Sequence, residues 1–442
     1  MLRFGTDGVR GTALIELTED YVEALGRAAA RVLGGGRWLI GRDTRESGRV
    51  LQAALARGLA RGGGEPVDCG MLPTPALAHR SATTHAPAAM ITASHNPYTD
   101  NGVKIFAAGG LKLGDEIERE IEAALEAELA DRETAHEAVD GAAPEPDRSA
   151  AADYVRHIIE MFPDAVLTGL RVVLDCANGA MTVVAPDVLR SLGADVTLIN
   201  AAPDGTNINA GCGATHPAPL SAAVIDGRAD AGLAFDGDGD RVIAIDNLGA
   251  VVDGDRLIAL GALQLRADRE LTANSVVVTV MSNLGFHHAM REAGIEVVTT
   301  AVGDRYVLEA LDAGGYAIGG EQSGHIIYRH VATTGDGLLA GLKLLQRVRA
   351  AGSSLAELAD AVMTTYPQVL VNVRVRTRHP LIADELAAEI AAAQDELGDD
   401  GRVLLRPSGT EPLVRVMVEA ASDEHAAQLA NQLADVVQVR YG

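Results

Sequence analysis

The chain has 442 residues, 48% hydrophobic and only 3% aromatic, enough for several cores built from Ala, Val, Leu and Ile rather than from aromatic clusters. Its 37 basic and 61 acidic residues give a formal charge of −24, which repels nucleic acid and anionic membranes and excludes both as expected partners. No run reaches the ~18 apolar residues of a membrane span, the N-terminal MLRFGTDGVRG has no apolar signal segment, and Cys69, Cys176 and Cys212 show no CxxC spacing, so a cytoplasmic protein without a disulfide framework or zinc site is expected.

In chain order, apolar strands alternate with Ala- and Leu-rich helical segments, the pattern of α/β units. Trp38-Leu39-Ile40-Gly41 runs into the polar GRDTRESG and then a helical pattern from Val50 to Leu59. A strand–loop–strand element follows, AAMITASHNPYTDNGVKIF (88–106), in which Ser94 and His95 stand on a polar turn between two apolar runs. Taken alone, Asn96-Pro97 and Asp100-Asn101-Gly102 are ordinary turn residues, and Ser94 an ordinary turn serine. The acidic helical stretch GDEIEREIEAALEAEL then gives way to DGAAPEPDRSA (140–150), a linker by composition.

The same grammar recurs twice. Arg171–Asp175 runs into CANGA and is followed by AGLAFDGDGDRVIAI (231–245); Ser275–Val280 runs into MSNLG and is followed by YAIGGEQSGHIIY (316–328). Three occurrences predict three copies of one α/β unit, with equivalent loops able to face one cleft. Past Pro367 the pattern changes to VLVNVRVRT, a helix, GRVLLRPSGTEP, LVRVMVEA and a final helix. The expected fold class is therefore α/β: three related α/β domains with mixed sheets (1–148, 149–252, 253–365) plus a smaller C-terminal α+β domain (366–442), around a central cleft.

The loops carry the chemistry. FDGDGDR crowds Asp236, Asp238 and Asp240, with glycines that let the backbone fold tightly enough for all three carboxylates to reach one ion. Oxygen-only ligands suit Mg²⁺, or Mn²⁺ in its place. An EF-hand fails, because Arg241 and Asn247 stand where Gly and Glu are needed. A plain acidic turn is the bland alternative, but unpaired carboxylates between two apolar strands are costly, which favours a metal. RPSGTEP (406–412) offers the Arg406 fork, the Ser408 and Thr410 hydroxyls and close approach at Gly409, with Arg415 as a second charge; this set suits a phosphate dianion, against the reading of a decorated turn before the strand from Leu413 to Val418. In GGEQSGH, Glu321 and Ser323 can hydrogen-bond sugar hydroxyls, while His325 fits a structural histidine or a proton-handling one. Arg10, Arg42, Arg45, Lys104, Arg241, Arg305, Arg406 and Arg415 fall in or beside polar loops and supply the local positive charge that an anionic ligand needs in an acidic protein.

FGTDGVRG, TASHNP, DGDGDR, GEQSGH and RPSGTEP stand in the order found in the α-D-phosphohexomutases, and the chain resembles that family over essentially its whole length. The resemblance implies four domains, the last closing over the cleft, and a phosphoryl group carried on Ser94. It implies Mg²⁺ held by Asp236, Asp238 and Asp240 with a phosphoserine oxygen as a further ligand, a sugar held by Glu321 and Ser323, and a non-reacting phosphate received by Arg406, Ser408, Gly409, Thr410 and Arg415. Lys104 matches a lysine thought to assist proton transfer; Arg10, Arg241 and His325 match residues lining the same pocket; His95 would orient the loop or touch phosphate. Gln322 resembles the members acting on glucosamine phosphates, where mannose- and glucose-phosphate relatives usually carry Met.

The implied reaction converts glucosamine 6-phosphate to glucosamine 1-phosphate through a 1,6-bisphosphate, with glucosamine or glucose 1,6-bisphosphate as a priming activator and a homodimer as the common assembly; the alternative is a phosphomannomutase/phosphoglucomutase. Serine suits it physically: a serine phosphate and a sugar phosphate are both alkyl-type monoesters, so transfer between them is close to thermoneutral, as reversibility requires. A sugar-phosphate phosphatase is the rival from another enzyme class, disfavoured by a separate phosphate grip that a one-step hydrolase does not need. A silent binding module would tolerate loss of the Ser94 hydroxyl.

Overall fold

The computed structural model describes residues 2–5, 8–130, 144–407 and 412–442. The chain divides into two compact units, Met1–Met281 with Glu296–Asp360, and Ser282–Ile295 with Ala361–Gly442.

The first unit holds three sheets built on one plan. Strand Gly36–Arg42 pairs in parallel with Gly64–Met71 on one side and Ala88–Ile91 on the other, and Ala88–Ile91 turns back antiparallel into Asp100–Ala107. Arg171–Asp175 repeats this with Asp195–Ile199, Ala231–Phe235 and Val242–Asp246. Ser275–Thr279 does so with Glu296–Thr300, Ile318–Gly320 and Ile326–Tyr328. Short strands such as Val9–Thr12, Glu145–Pro146 and Val251–Val252 extend the first two sheets at their edges. The threefold repetition legible in the sequence is thus a repetition of strand order, in mixed sheets. In each copy a hairpin loop (92–99, 236–241 and 321–325) leaves the C-terminal end of a strand parallel to its neighbour, where α/β sheets commonly place ligand sites.

Local sequence explains these elements. Ala88–Ile91, Ala231–Phe235 and Val242–Asp246 are buried at every position, as strands covered on both faces must be, so they read as continuous apolar runs rather than alternating ones. Helix Glu19–Leu33 starts where the Thr18 hydroxyl accepts from the Tyr21 N–H at 3.2 Å, satisfying one of the first-turn donors. It buries Val22, Leu25, Ala28 and Ala29 on one face against a core that includes Trp38, Leu51, Leu55 and Ile91. Helix Gly48–Arg61 contains the helical pattern expected from Val50 to Leu59, and Asp115–Ala130 contains the acidic stretch. The expected linker at 140–150 lies partly outside the described residues.

In the second unit, Leu413–Glu419 is the centre of a three-stranded antiparallel sheet between Gln368–Arg374 and Arg402–Pro407. Period-two alternation turns Val373, Leu405, Val414, Val416 and Val418 toward Ala426, Leu429, Leu433 and Val437 of helix Asp423–Tyr441. Segment 282–295 packs here, although in chain order it lies between two strands of the third sheet. Leu284 N–H and Asn283 Nδ2 donate to the Glu419 carboxylate at 3.1 and 3.3 Å, and Arg402 pairs with the same group. Burial pushes Glu419 above the usual carboxylate range, only partly offset by Arg402.

All three cysteines are free and buried. Burial pushes Cys69 and Cys176 up to about 12 and Cys212 up to about 11, so these thiols serve packing rather than chemistry. No helix among the described residues is long and apolar enough to cross a membrane.

Candidate active site

Ser94 is fully buried and has φ +50°, a left-handed conformation that a non-glycine residue adopts only when its surroundings impose it. The imposing groups come from three places. Thr92 Oγ1 accepts from the Ser94 N–H at 2.9 Å. Arg45, itself buried and paired with Asp43, donates to the carbonyls of Ser94 and Asn96 at 3.1 and 2.6 Å. Asn209 donates to the same two carbonyls at 2.9 and 3.0 Å. The serine is thereby held as a fixed post, with its hydroxyl donating to Asp236 Oδ2 at 2.5 Å. His95 Nδ1 stands 3.3 Å from Ser94 Oγ. Burial, and after it the charges of Arg241 and Arg10, depress His95 to about 4, so it is neutral near pH 7.

Glycine brings the acidic loop this close. A Cβ on Gly237 would lie 2.6 Å from the Ser94 carbonyl oxygen, and one on Gly239, which has φ +75°, would lie 2.5 Å from the Met181 methyl. A larger residue at Gly237 would push the two loops apart, and one at Gly239 would collide with Met181.

Asp236, Asp238 and Asp240 are all buried and offer oxygens within 4.8 Å of one another, the only such metal-competent group of acidic, histidine or cysteine ligands among the described residues. Asp236 accepts from the backbone N–H groups of Gly239 and Arg241 at 3.1 and 3.2 Å. Burial, then repulsion from Asp240 and Asp238, lifts it well above the usual carboxylate range. Asp240 goes the other way: burial would raise it, but Lys104, His325 and Arg241 outweigh that and hold it well below. Lys104 Nζ bridges Asp238 and Asp240 at 3.0 and 2.9 Å, and Thr74 Oγ1 donates to Asp238 at 2.6 Å. The Oδ1 atoms of Asp238 and Asp240 remain buried without a hydrogen-bond partner. Orphaned carboxylate oxygens beside a repelled third carboxylate fit a divalent cation, which would satisfy both and remove the repulsion.

The third loop joins through backbone pairing: Val242 N–H donates to the Gly324 carbonyl at 3.1 Å, and Arg241 bridges His325. Beside it opens a cleft of about 420 Å³ lined by Arg3, Arg10, Asp240, Arg241, Asp304, Glu321 and His325, among others. Glu321 accepts from the Gly303 N–H at 3.1 Å. His325 accepts at Nε2 from the Gly335 N–H at 3.2 Å, leaving Nδ1 toward Asp240 at 3.7 Å. Burial alone would lower His325, but Asp240 and Asp304 outweigh it and raise it. Gln322 donates to Asp253 at 3.1 Å, and Ser323 is exposed.

Of the sequence candidates, Ser94, His95, Lys104, Asp236, Asp238, Asp240, Arg241 and His325 form one contact network, and Arg10, Arg241, Glu321 and His325 line the cleft. Ser94, His95, Lys104 and Ser323 do not line it. Arg45 and Arg305 are committed to structural pairs, the latter with Asp115 and Glu118. In the second unit, Arg406 and Arg415 face each other across adjacent strands and line a cleft of about 600 Å³ with Asn372 and Arg374. Ser408, Gly409 and Thr410 lie outside the described residues.

Sequence reasoning missed Thr74, Asn209, Asp304, Asn372 and Arg374, and counted Arg45 only within the local positive patch. Asn209 had a usable signal, the glycine-punctuated polar run TNINAGCGA after a strand. Thr74 and Asp304 had none, since each acts through a partner far away in the chain.

A fixed hydroxyl on an acidic cage, in a molecule built from three α/β repeats, defines an enzyme that moves a phosphoryl group. Family models match along the chain in order: phosphoglucomutase/phosphomannomutase alpha/beta/alpha domain I over residues 1–132, domain II over 152–249, domain III over 253–366 and the C-terminal domain over 370–436. The chain belongs to the phosphoglucomutase/phosphomannomutase family and is an intramolecular phosphotransferase of the isomerase class. Phosphoglucosamine mutases from Frankia alni and Rhodococcus jostii are 53% and 51% identical to it, each over 98% of both chains. One from Thermobifida fusca is 51% identical over the same share. These relatives do not favour the mannose- or glucose-phosphate alternative. Among solved structures, a Burkholderia thailandensis phosphoglucomutase/phosphomannomutase family protein superposes with TM-score 0.81 at 24% identity, over 98% of this chain and 97% of that one. Aspergillus fumigatus N-acetylphosphoglucosamine mutase gives 0.70 at 21%, over 100% and 96%; at these identities the likeness shows the fold.

Proposed function

We propose that the chain interconverts glucosamine 6-phosphate and glucosamine 1-phosphate by way of phosphorylated Ser94 and a glucosamine 1,6-bisphosphate. The observation that carries this reading is the 2.5 Å contact between the Ser94 hydroxyl and the Asp236 carboxylate, which puts a rigidly held oxygen against a cage with unsatisfied acceptors. Mg²⁺ is the cation this all-oxygen cage suits, held by Asp236, Asp238 and Asp240 with an oxygen on Ser94, and when bound it withdraws charge from the transferring group.

In the forward direction the bond from phosphorus to Ser94 Oγ breaks and a bond from phosphorus to the sugar O1 forms, while the proton that O1 gives up is matched by one taken up at Ser94 Oγ. The bisphosphate then turns, the bond from the second phosphorus to O6 breaks as one to Ser94 Oγ forms, and the proton that the Ser94 hydroxyl gives up is matched by one taken up at O6. The residues divide this work by position. His325 lines the cleft and is assigned the proton, whereas Lys104, held between Asp238 and Asp240, is assigned charge balance in the cage. Arg10 and Arg241 draw the anionic substrate into an otherwise acidic molecule, and Glu321 accepts from sugar hydroxyls.

Arg406 and Arg415, with Asn372 and Arg374, are assigned the phosphate that is not reacting. Guanidinium groups opposite one another across a strand pair repel, a cost that an anion offsets. A sugar 1,6-bisphosphate recharges Ser94 when the group is lost, and a homodimer is the assembly we expect. Three unpaired cysteines support a reducing cytoplasmic setting.

The test compares kcat/KM for glucosamine 6-phosphate, glucose 1-phosphate and mannose 1-phosphate while following inorganic phosphate. At least tenfold preference for the amino sugar, ~1.4 kcal/mol in transition-state terms, with negligible phosphate release is expected. A smaller preference would overturn the substrate assignment, and phosphate release at the isomerisation rate would overturn mutase for phosphatase.

A further inference from the structure

The donors around Asp238 treat its two carboxylate oxygens unequally. Thr74 Oγ1 donates to Oδ2 at 2.6 Å and Lys104 Nζ to the same oxygen at 3.0 Å, while Oδ1 is buried with no hydrogen-bond partner. Asp240 repeats the pattern, with Lys104 on Oδ2 at 2.9 Å and Oδ1 unpartnered. Asp236 differs: Ser94 occupies its Oδ2, and two backbone N–H groups occupy its Oδ1. If Thr74 merely satisfied a buried carboxylate, its hydroxyl would gain more at the empty Oδ1 than at an oxygen that already accepts from an ammonium group. Two donors from two elements on one oxygen instead fix that oxygen and leave the other free to act as a ligand.

Thr74 can hold Asp238 because its own placement is over-determined. It opens helix Thr74–Thr84, where the first-turn N–H groups have no partner inside the helix, and its N–H goes to the Asp238 carbonyl at 2.9 Å. One residue thus grips both the backbone and the side chain of Asp238, 164 positions further along the chain. Pro73 and Pro75 flank it and restrict the backbone on either side. Thr74 is buried and does not line the cleft beside Glu321, so it acts on the acidic cage and not on the sugar.

We propose that Thr74 is a positioning residue for the divalent cation: its hydroxyl holds Asp238 by Oδ2 and so presents Oδ1 as the ligand atom. The inference rests on the cation reading of the cage given above. Lys104 alone gives the Asp238 carboxylate a single anchor, and that ammonium group is shared with Asp240. Outer contacts of this kind set the affinity of a metal site, and losing one typically costs about 10- to 100-fold.

The test reads cation affinity directly, without turnover. Full-length protein stripped of divalent cations, and matched for Ser94 phosphorylation by intact mass, is titrated with Mn²⁺ while free Mn²⁺ is followed by its paramagnetic resonance signal. Wild type should show one saturable site that Asp238→Asn abolishes. Thr74→Val keeps the shape and removes the hydroxyl, and should weaken that site at least about tenfold. Thr74→Ser keeps the hydroxyl and removes the methyl, and should stay within about threefold of wild type. Where valine disturbs folding, Thr74→Ala takes its place as the variant without a hydroxyl. A packing role would order the variants otherwise, with serine damaged as much as valine. In turnover, raising Mg²⁺ should recover the Thr74→Val deficit to within about threefold, with KM for glucosamine 6-phosphate unchanged. Mn²⁺ affinity in Thr74→Val less than about tenfold below wild type, or serine as weak as valine, would overturn the proposal and leave the cage reading standing. Absence of a saturable Mn²⁺ site in wild type would overturn the cage reading itself, and this inference with it.

Discussion

Loops 92–99 and 321–325 occupy the same place in two copies of one α/β unit, yet the first is immobilised and the second is open. Ser94 is fully buried, left-handed in backbone, and tied at its N–H and carbonyl by Thr92, Arg45 and Asn209. Glu321 and Gln322 are half-buried and Ser323 is exposed. The contrast fits the roles proposed for the two loops. An atom that makes and breaks a bond gains from being held within a fraction of an ångström of the reacting geometry, whereas a group that reads a sugar must stay reachable while the sugar enters and turns. One scaffold position therefore serves two purposes, according to how many partners the surrounding elements give it.

The deepest cut into this contrast is Ser94→Ala. It removes the oxygen proposed to carry the phosphoryl group, and mutase turnover should fall by roughly 10⁴-fold or more with the thermal midpoint close to wild type, since the Thr92, Arg45 and Asn209 contacts are made to the backbone. Stopped glucosamine 1-phosphate formation, alongside an unchanged melting curve, is the signature. Turnover within tenfold of wild type would return the serine to the status of a turn residue.

Arg45→Lys sharpens the same point without touching a reacting atom. Lysine keeps a positive charge near the buried Asp43 but cannot reproduce the fork that holds two carbonyls at once. A displacement of about 1 Å at the reacting centre costs on the order of 10²-fold, so kcat should fall by roughly that factor while KM stays within about threefold. Steady-state kinetics decides it, and a KM rise with kcat unchanged would mean that Arg45 contacts substrate rather than positioning Ser94.

How far the sequence alone reaches depends on whether a contact is local. The acidic cage was legible because its three carboxylates fall within five residues, and the repeats were legible because each strand–loop–strand element is contiguous. Asn209, Thr74 and Arg45 were not, because each acts on a residue 115, 164 or 49 positions away in the chain. Arg45 also shows how charge misleads: an arginine in a polar loop looks like an anion site until its own buried aspartate is seen. Arg374 was hidden for another reason, that only the strand register places it on the face shared by Arg406 and Arg415.

The open loop is braced from behind by residues 335–337, and there a pH dependence enters. Asp336 N–H donates to the Ile326 carbonyl at 3.2 Å, and its carboxylate caps helix Gly337–Ala351 and accepts from the Tyr154 hydroxyl at 2.8 Å. Burial raises Asp336 to about 6, only partly offset by hydrogen bonds from the Leu339 N–H and Tyr154. Between about pH 4 and 6 the folded chain thus holds a proton that the unfolded chain has released. The stability this group contributes is complete below about pH 4 and lost as pH rises through about 6. Asp336→Asn keeps the cap and the Tyr154 contact but cannot ionise, so wild type should lose on the order of 2–3 kcal/mol relative to the variant across that window. Denaturant unfolding of both proteins at intervals from pH 4 to 7 measures it, and a constant difference would contradict the assignment.

Ser323→Ala should be the mildest change and the most discriminating test of the loop comparison. Its side chain makes no hydrogen bond to described residues and does not line the cleft beside Glu321, so removing it strands no buried partner. What remains to lose is one exposed hydroxyl's bond to the sugar, a net ~0.5–1.5 kcal/mol at most. The expected result is a rise in KM for glucosamine 6-phosphate within about tenfold, kcat within about twofold, and unchanged stability. A loss of kcat approaching that of Arg45→Lys would show that the exposed loop is fixed in the working enzyme as firmly as the serine loop, and the division between a held post and an open reader would fail.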